Sequence, residues 1–220
     1  MAEAAQIQSG AQAALFTETP ARVPVGSSIV LLATAMSQAP SPTHFQDIAD
    51  GPPENFLVLQ DTVVIDYKTL QCLVVPGERL RMQVQWTEGR SIAEVKEFAH
   101  RFFRFGLGPQ VLGVNFGYRF DFVGPGLERV APLLNIARIN DLGLTEGAEL
   151  TQAGIKLKSE GGGWRTLLTI DPGANPRQLN WSVNFERDAG SDDAVREGID
   201  SLDELAQRRE TLVGRLRWID

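Results

Sequence analysis

A polar strand face near the middle of the 220-residue chain carries the residues best placed to do chemistry. Apolar and polar residues alternate from Val111 to Phe122, which predicts a half-buried strand with Asn115, Arg119 and Asp121 on its polar face. Two glycines share that face, and glycines inside strands often mark the close approach of a backbone or a ligand. Arg119 and Asp121 can pair with each other as surface ions, or they can line a pocket or a groove for a partner.

Titratable groups elsewhere add one candidate, His100 on a predicted helix. Asp66 or Asp121 could serve as its carboxylate partner, although a histidine on a helix face is more often simply exposed or packed. Cys72 lies in an apolar run and is predicted to be a buried small hydrophobe. The sequence contains no Gly-x-Ser-x-Gly motif and no pair of histidines at metal-ligand spacing. We therefore predict no cofactor and no metal site, and we favour a protein that is not an enzyme.

The charge balance narrows the class of partner. The chain has 28 acidic and 21 basic residues, a net charge of −7, which disfavours nucleic-acid binding because that needs clustered Lys and Arg. Arg101, Arg104 and Arg119 could still converge into a local basic patch. A single cysteine excludes an intrachain disulfide, and the longest early apolar run, Ile29–Met36, is too short to span a bilayer. Without a secretory signal at its start, the chain is expected to be cytoplasmic and not in a membrane.

One strand–helix unit occurs twice in the sequence. Alternation from Leu80 to Trp86 predicts a half-buried antiparallel strand. Ser91, with Glu94 three residues later, forms a capping box at the start of an amphipathic helix. The same pattern returns as a strand at Leu179–Phe185 and a helix that begins at Ser201.

This recurrence suggests two pseudo-symmetric halves, 26–122 and 123–220, although two such units can also match by chance. Other runs rich in β-branched and aromatic residues, separated by Pro-Gly and Gly-Gly-Gly turns, predict further strands and hairpins. Leu127–Ile139 is predicted to be helical. Groups of strands with helices appended indicate an α+β fold. We predict a largely antiparallel twisted sheet with two main amphipathic helices packed on one side.

Two segments lie outside this regular pattern. Residues 1–25 are rich in Ala, Gln and Pro, which predicts a flexible or loosely attached N-terminal arm ahead of a single α+β domain over residues 26–220. Residues 38–55 contain Pro-Ser-Pro and Gly-Pro-Pro groups and form a long connection. Connections of this length are often functional, so this loop is a candidate interaction surface.

A short part of that loop resembles one known family. The run Ala39-Pro40-Ser41-Pro42, followed by Phe45-Gln46 beside the early strands, is similar to SecB-type export chaperones. The resemblance covers under a tenth of the chain. It implies, as an alternative, a tetrameric chaperone that holds unfolded peptides, and it transfers no functional residue.

Taken together, the patterns favour a bacterial-type, non-catalytic binding protein that acts through protein or peptide contacts, or through self-association as a homo-oligomer. Long amphipathic strands favour interfaces, since exposed strand edges commonly pair with partner chains. The second hypothesis is an enzyme or small-ligand binder with a site between the sheet halves, near Arg119 and Asp121. The SecB-like chaperone is the third.

Overall fold

A nine-stranded antiparallel sheet dominates the structure, a computed structural model that describes residues 20–34, 48, 53–60, 62–67, 70–75, 79–87, 90–103, 110–124 and 154–215. The strands are β1 (Ala21–Thr34), β2 (Asn55–Leu59), β3 (Thr62–Tyr67), β4 (Leu70–Val75), β5 (Arg79–Trp86), β6 (Gln110–Asp121), β7 (Ile155–Gly161), β8 (Trp164–Pro172) and β9 (Gln178–Ala189). The helices in the described part of the chain are α1 (Ile92–Phe102), α2 (Asp192–Asp200) and α3 (Leu202–Arg215). The predicted α+β class with an antiparallel sheet is confirmed.

The first strand of the chain lies at the centre of the sheet. The strand order is β2-β3-β4-β5-β1-β6-β9-β8-β7, and Ile29 of β1 lies opposite Val84 on one side and Val114 on the other. β1 begins at Ala21, so the last residues of the predicted arm belong to the sheet. A bulge between Pro24 and Gly26 shifts the register there, which accommodates a proline that cannot donate to the ladder.

All three described helices pack on one face of the sheet. The side chains that point towards them from the strands form one core, and the largest fully buried ones include Trp181, Tyr118, Phe116 and Phe185. Alternation along β6 places every second residue in this core, as the sequence predicted. The other face of the sheet, opposite the helices, is called the second face below.

Helix α1 begins at the predicted capping box. Ser91 Oγ accepts a hydrogen bond from the Glu94 amide at 3.2 Å, and Glu94 Oε2 accepts one from the Ser91 amide at 3.2 Å. The helix buries Val95, Phe98 and Phe102 against the sheet, where the ring of Phe98 meets Tyr67 edge to face at 5.3 Å. The capping residues therefore determine where α1 begins after β5. The apolar side chains of α1 determine which face of the sheet it covers.

Helix α2 was not predicted from the sequence. The helix predicted to begin at Ser201 is present as α3, and α2 directly precedes it. Ser191 caps α2 by accepting from the Ala194 amide, and the Ser201 hydroxyl donates to the Glu197 carbonyl at the C-terminus of α2. Acidic residues stabilise the first turn of a helix, so the Asp-Asp pair there supports α2.

A polar cluster joins the start of β1 to α3 on the helix side. Arg22 Nη2 donates to the Tyr118 hydroxyl at 2.7 Å and to Glu210 Oε1 at 2.8 Å, and the Tyr118 hydroxyl donates to Glu210 at 3.0 Å. Burial raises the pKa of Tyr118. Burial also raises the pKa of Glu210, but hydrogen bonds from Arg22 and Tyr118 outweigh that effect and hold it below its usual range.

The strand order is compatible with the two predicted halves. β5 and β9, the strands with matching patterns, lie on the outer sides of β1 and β6, and a helix follows each of them. Leu80 of β5 pairs with Ala33 of β1, and Leu179 of β9 pairs with Phe120 of β6. An alignment of Leu80 with Leu179 therefore also aligns Ala33 with Phe120. In this alignment β6 is the counterpart of β1, so β6 belongs to the second half. The boundary between the two halves would then lie before Gln110 and not after residue 122. The duplication itself stays a prediction.

Several predicted features fall outside the described residues. These are the helix at Leu127–Ile139, the Pro76-Gly77 turn, and most of the proline-rich loop 38–55. The hairpins that could be compared do form, since β4 pairs with β5, and β7 pairs with β8 around Gly162 and Gly163 at positive φ. No helix in the described ranges has the length and apolar character needed to cross a bilayer.

The central position of β1 predicts where the sheet is most sensitive to truncation. Leu31→Ala, at a side chain with no solvent exposure, should lower the free energy of unfolding by about 2–5 kcal/mol, because it leaves a cavity at the centre of the core. Leu157→Ala, at an edge leucine that is 56% exposed, should change it by less than about 0.5 kcal/mol. Urea unfolding of both variants measures the difference. Equal losses would contradict the central role of β1.

Candidate functional site

The structure places three of the four predicted site residues on one face. Asn115, Arg119 and Asp121 all lie on β6 and point to the second face, where each is partly exposed. Their neighbours across β9 are Asn184, Asn180 and Gln178, respectively. The face that the alternation assigned to these residues is therefore a continuous polar surface across two strands.

Arg119 and Asp121 pair with each other. Arg119 Nε lies 3.1 Å from Asp121 Oδ1 and its Nη2 lies 3.1 Å from Oδ2, while Gln178 Nε2 donates to Oδ1 at 2.8 Å. The hydrogen bonds from Arg119, joined by the one from Gln178, lower the pKa of Asp121 below its usual range. With the carboxylate accepting from both neighbours, this pair acts as a surface ion pair, and neither residue lines the large cleft described below.

His100 lies on the other side of the sheet. Its Nε2 is 2.8 Å from Asp200 Oδ1, at the end of α2, so its partner is Asp200 and not the Asp66 or Asp121 considered from the sequence. Lys96, one turn earlier on α1, is 2.7 Å from Asp203 Oδ2 at the start of α3. These two contacts join α1 to the other helices. The structure therefore separates His100 from the other predicted site residues.

Strand pairing aligns a polar row that the sequence did not reveal. On the second face, one residue from each of six adjacent strands lies directly opposite its neighbour in the next strand. We call these six residues the polar row: Asn55, Asp66, Gln71, Gln85, Ser28 and Asn115. Two hydrogen bonds run along it, from Gln71 Nε2 to Asp66 Oδ1 at 2.9 Å and from Asn115 Nδ2 to Ser28 Oγ at 3.4 Å.

The whole polar row lines an open cleft of about 660 Å³. The bulge of β1 forms one wall, through Val25 and Gly26, and Thr87 and Trp86 lie at the end of β5. Trp86 is only 6% exposed and its ring meets Phe116 edge to face, so it is a wall of the cleft and not a free stacking platform. Gly117 lies under the bulge, where an added Cβ would come within 2.9 Å of Val25 Cγ2.

The chemistry of this cleft is that of hydrogen bonding with a negative bias. Amide side chains can both donate and accept, and hydroxyls add further donors and acceptors. Glu54 and Asp66 contribute carboxylates, whereas the described lining contains no Lys, Arg or His. Next along the row from Asn115, the Asn184 Oδ1 atom is buried and has no hydrogen-bond partner among the described residues. The cleft therefore suits a ligand that offers hydrogen-bond donors, above all a cationic one.

Other classes of site find less support in the described ranges. No group of three or more His, Cys, Asp or Glu there is placed to hold a metal ion. Cys72 is fully buried, as predicted, and burial raises the pKa of its thiol. A buried thiol with a raised pKa is a poor nucleophile.

Comparison with known proteins does not assign the chain to a family. No protein-family model matches the chain, and no curated protein matches it significantly in sequence. The segment behind the SecB-type resemblance lies outside the described residues, so that hypothesis stays open.

The Arg119–Asp121 contact predicts a specific titration. In Arg119→Ala, the pKa of Asp121 should rise from its lowered value towards the ordinary value of 3.8, because the hydrogen bonds from Arg119 are the largest effect that lowers it. A lowered folded-state pKa means that this carboxylate stabilises the native state above its unfolded pKa, and that the contribution is lost as the pH falls through the folded-state value. Carboxyl carbon shifts recorded by NMR between about pH 2 and about pH 6 measure it.

Asp121→Asn serves as the control for that titration. In this background Arg119→Ala should leave the pH dependence of unfolding unchanged, since no carboxylate remains at that position. An Asp121 pKa that is the same with and without the Arg119 side chain would contradict the assigned cause.

Proposed function

We propose that the protein is a non-catalytic binding protein that holds an extended, positively charged segment of a partner protein along the polar row. The observation that carries this proposal is the alignment of six hydrogen-bonding side chains from six adjacent strands in one cleft whose described lining contains no basic residue.

The length of the polar row supports an extended peptide. Six strands at a spacing of about 4.8 Å span about 24 Å, which matches about seven residues of an extended chain at about 3.3 Å each. The backbone of such a segment presents an N–H and a C=O at every residue, and Asn and Gln side chains can pair with both. A row of amides is therefore a suitable partner for a backbone whose sequence varies.

An apolar row beside the polar row supports contacts with side chains of the segment. One residue further along the same face, Leu57, Val64, Leu73 and Val30 occupy neighbouring strands, with Gln83 between the last two. These side chains lie at the surface or only partly buried, except for Gln83, which is buried. A peptide over the cleft would thus meet hydrogen-bonding groups on one side and apolar groups on the other.

A second candidate function is small-ligand binding in the same cleft. Its volume of about 660 Å³ lies within the range of about 300–1,000 Å³ that is typical of small-molecule sites. In this alternative the ligand binds at the polar row and not near Arg119 and Asp121, where the site was predicted from the sequence. A metabolite panel that raises the melting temperature, with no peptide binding, would favour it.

Charge selectivity tests the peptide proposal. A fluorescently labelled seven-residue peptide of alternating Val and Lys should bind the full chain at least about tenfold more tightly than the same peptide with Glu for Lys, a difference of about 1.4 kcal/mol. Fluorescence anisotropy at about 0.15 M salt, where charges more than about 8 Å apart are largely screened, measures both affinities. Equal affinity for the two peptides, or no binding of either at about 1 mM, would overturn the proposal.

A matched pair of variants locates the binding on the second face. Gln71→Lys places a cation at an exposed position of the polar row and should weaken binding of the Lys peptide at least about tenfold. Ser182→Lys places the same charge at an exposed position of β9 that does not line the cleft, and it should change the affinity by less than about twofold. Equal effects of the two substitutions would show that the affinity depends only on the net charge of the protein, and would contradict binding at the polar row.

A further inference from the structure

The two edges of the sheet differ in their protection. β7 forms one edge and carries Lys156 and Lys158, and charged side chains on an edge strand discourage pairing with another chain. β2 forms the other edge, and none of its five residues is charged. Its Leu57, Val58 and Leu59 are 48%, 63% and 58% exposed, respectively. One edge is therefore protected, and the other is apolar on both of its faces.

The outer side of β2 is available for pairing in the described part of the chain. β2 pairs with β3 through all five of its residues, and no described strand lies on its other side. Such a strand presents a row of backbone donors and acceptors that a further strand can satisfy.

We infer that β2 is the interface of a homodimer, in which β2 of each protomer pairs antiparallel with β2 of its partner about a twofold axis through Leu57. In this register Leu57 lies opposite the partner's Leu57, Phe56 lies opposite the partner's Val58, and Asn55 lies opposite the partner's Leu59. All five residues of the strand are then paired, and the two nine-stranded sheets join into one.

The sequence of β2 is the reason that a second copy fits this edge. A twofold contact needs a strand that is complementary to itself, and here apolar residues lie opposite apolar residues at the three central positions. With a net charge of −7 on each protomer, association is least opposed at an edge that carries no charge. The same register places Glu54 opposite the partner's Gln60, so no carboxylates oppose each other there.

This dimer does not depend on the proposed peptide binding. β2 contributes Asn55, at the end of the strand, to the polar row and Leu57 to the apolar row beside it. Loss of peptide binding in Gln71→Lys would leave the dimer intact, and loss of the dimer would leave most of the polar row in place. The two proposals can therefore fail separately.

Cysteine cross-linking tests the register directly. In Leu57→Cys the two introduced residues lie opposite each other at the axis, with Cα atoms about 4.5–5.5 Å apart, which is within disulfide range. Mild oxidation should join most of the protein into a covalent dimer. In Val58→Cys the two cysteines are offset by two residue pairs, too far apart for a disulfide, and the native Cys72 is fully buried. Equal cross-linking at both positions, or none at Leu57→Cys, would overturn the proposed register.

Sedimentation of the full chain tests the dimer itself. The wild type should be a reversible dimer between about 5 and about 500 µM, and Leu57→Lys should raise its dissociation constant at least about tenfold, because two cations meet at the axis. Leu157→Lys makes the same change at a 56% exposed leucine on the other edge and should leave the constant within about twofold. A wild-type monomer over this range, or equal weakening by both variants, would overturn the proposal. If Leu57→Lys lost its circular dichroism, the cross-linking result would decide alone.

Discussion

The pairing of β1 with both β5 and β6 is the constraint on which the rest of the structure depends. β1 is the first strand in sequence, yet it lies between strands that begin at Arg79 and Gln110. In the described sheet, it alone joins the flank β2–β5 to the flank β6–β9, and without it two apolar strands would have open edges. These contacts join residues far apart in the chain, so the sheet can close only after long loops have come together, and such topologies fold slowly.

The same strand decides the chemistry of both faces. Ile29 and Leu31 point into the core, whereas Ser28 points to the second face and lies in the polar row between Gln85 and Asn115. Because side chains alternate along a strand, a slip of one residue would move Ser28 into the core and expose the leucine. The buried side chains of β1 thus fix the register that aligns the polar row. The polar row on the second face therefore depends on the core between the sheet and the helices. The Arg22 contacts with α3 fix the same strand at its other end.

Local patterns predicted what is encoded locally. The alternation of β6, the capping box at Ser91 and the glycine-tipped hairpin between β7 and β8 each arise from a few neighbouring residues, and each is present in the structure. The acidic helix α2 was missed because its apolar stripe is short, with Val195 and Ile199 as its main buried side chains. The polar row could not be predicted, because its six residues come from six strands and line up only when all six strands pair in one register. Asn115 was identified from its own strand, but Gln71 and Gln85 gain their meaning only from their neighbours.

The register also gives the second face a direction. Beyond Asn115 the same line of paired residues continues through Asn184 and Leu167 to Lys158 on the far edge strand, whereas towards β2 it passes Asp66. One flank therefore offers a carboxylate and the other a cation, at opposite ends of one line across the sheet. An extended segment along this line would gain from placing its basic end over β3, and reversing it would bring like charges together. The two flanks therefore differ in charge along this line, which would give the proposed peptide one preferred direction.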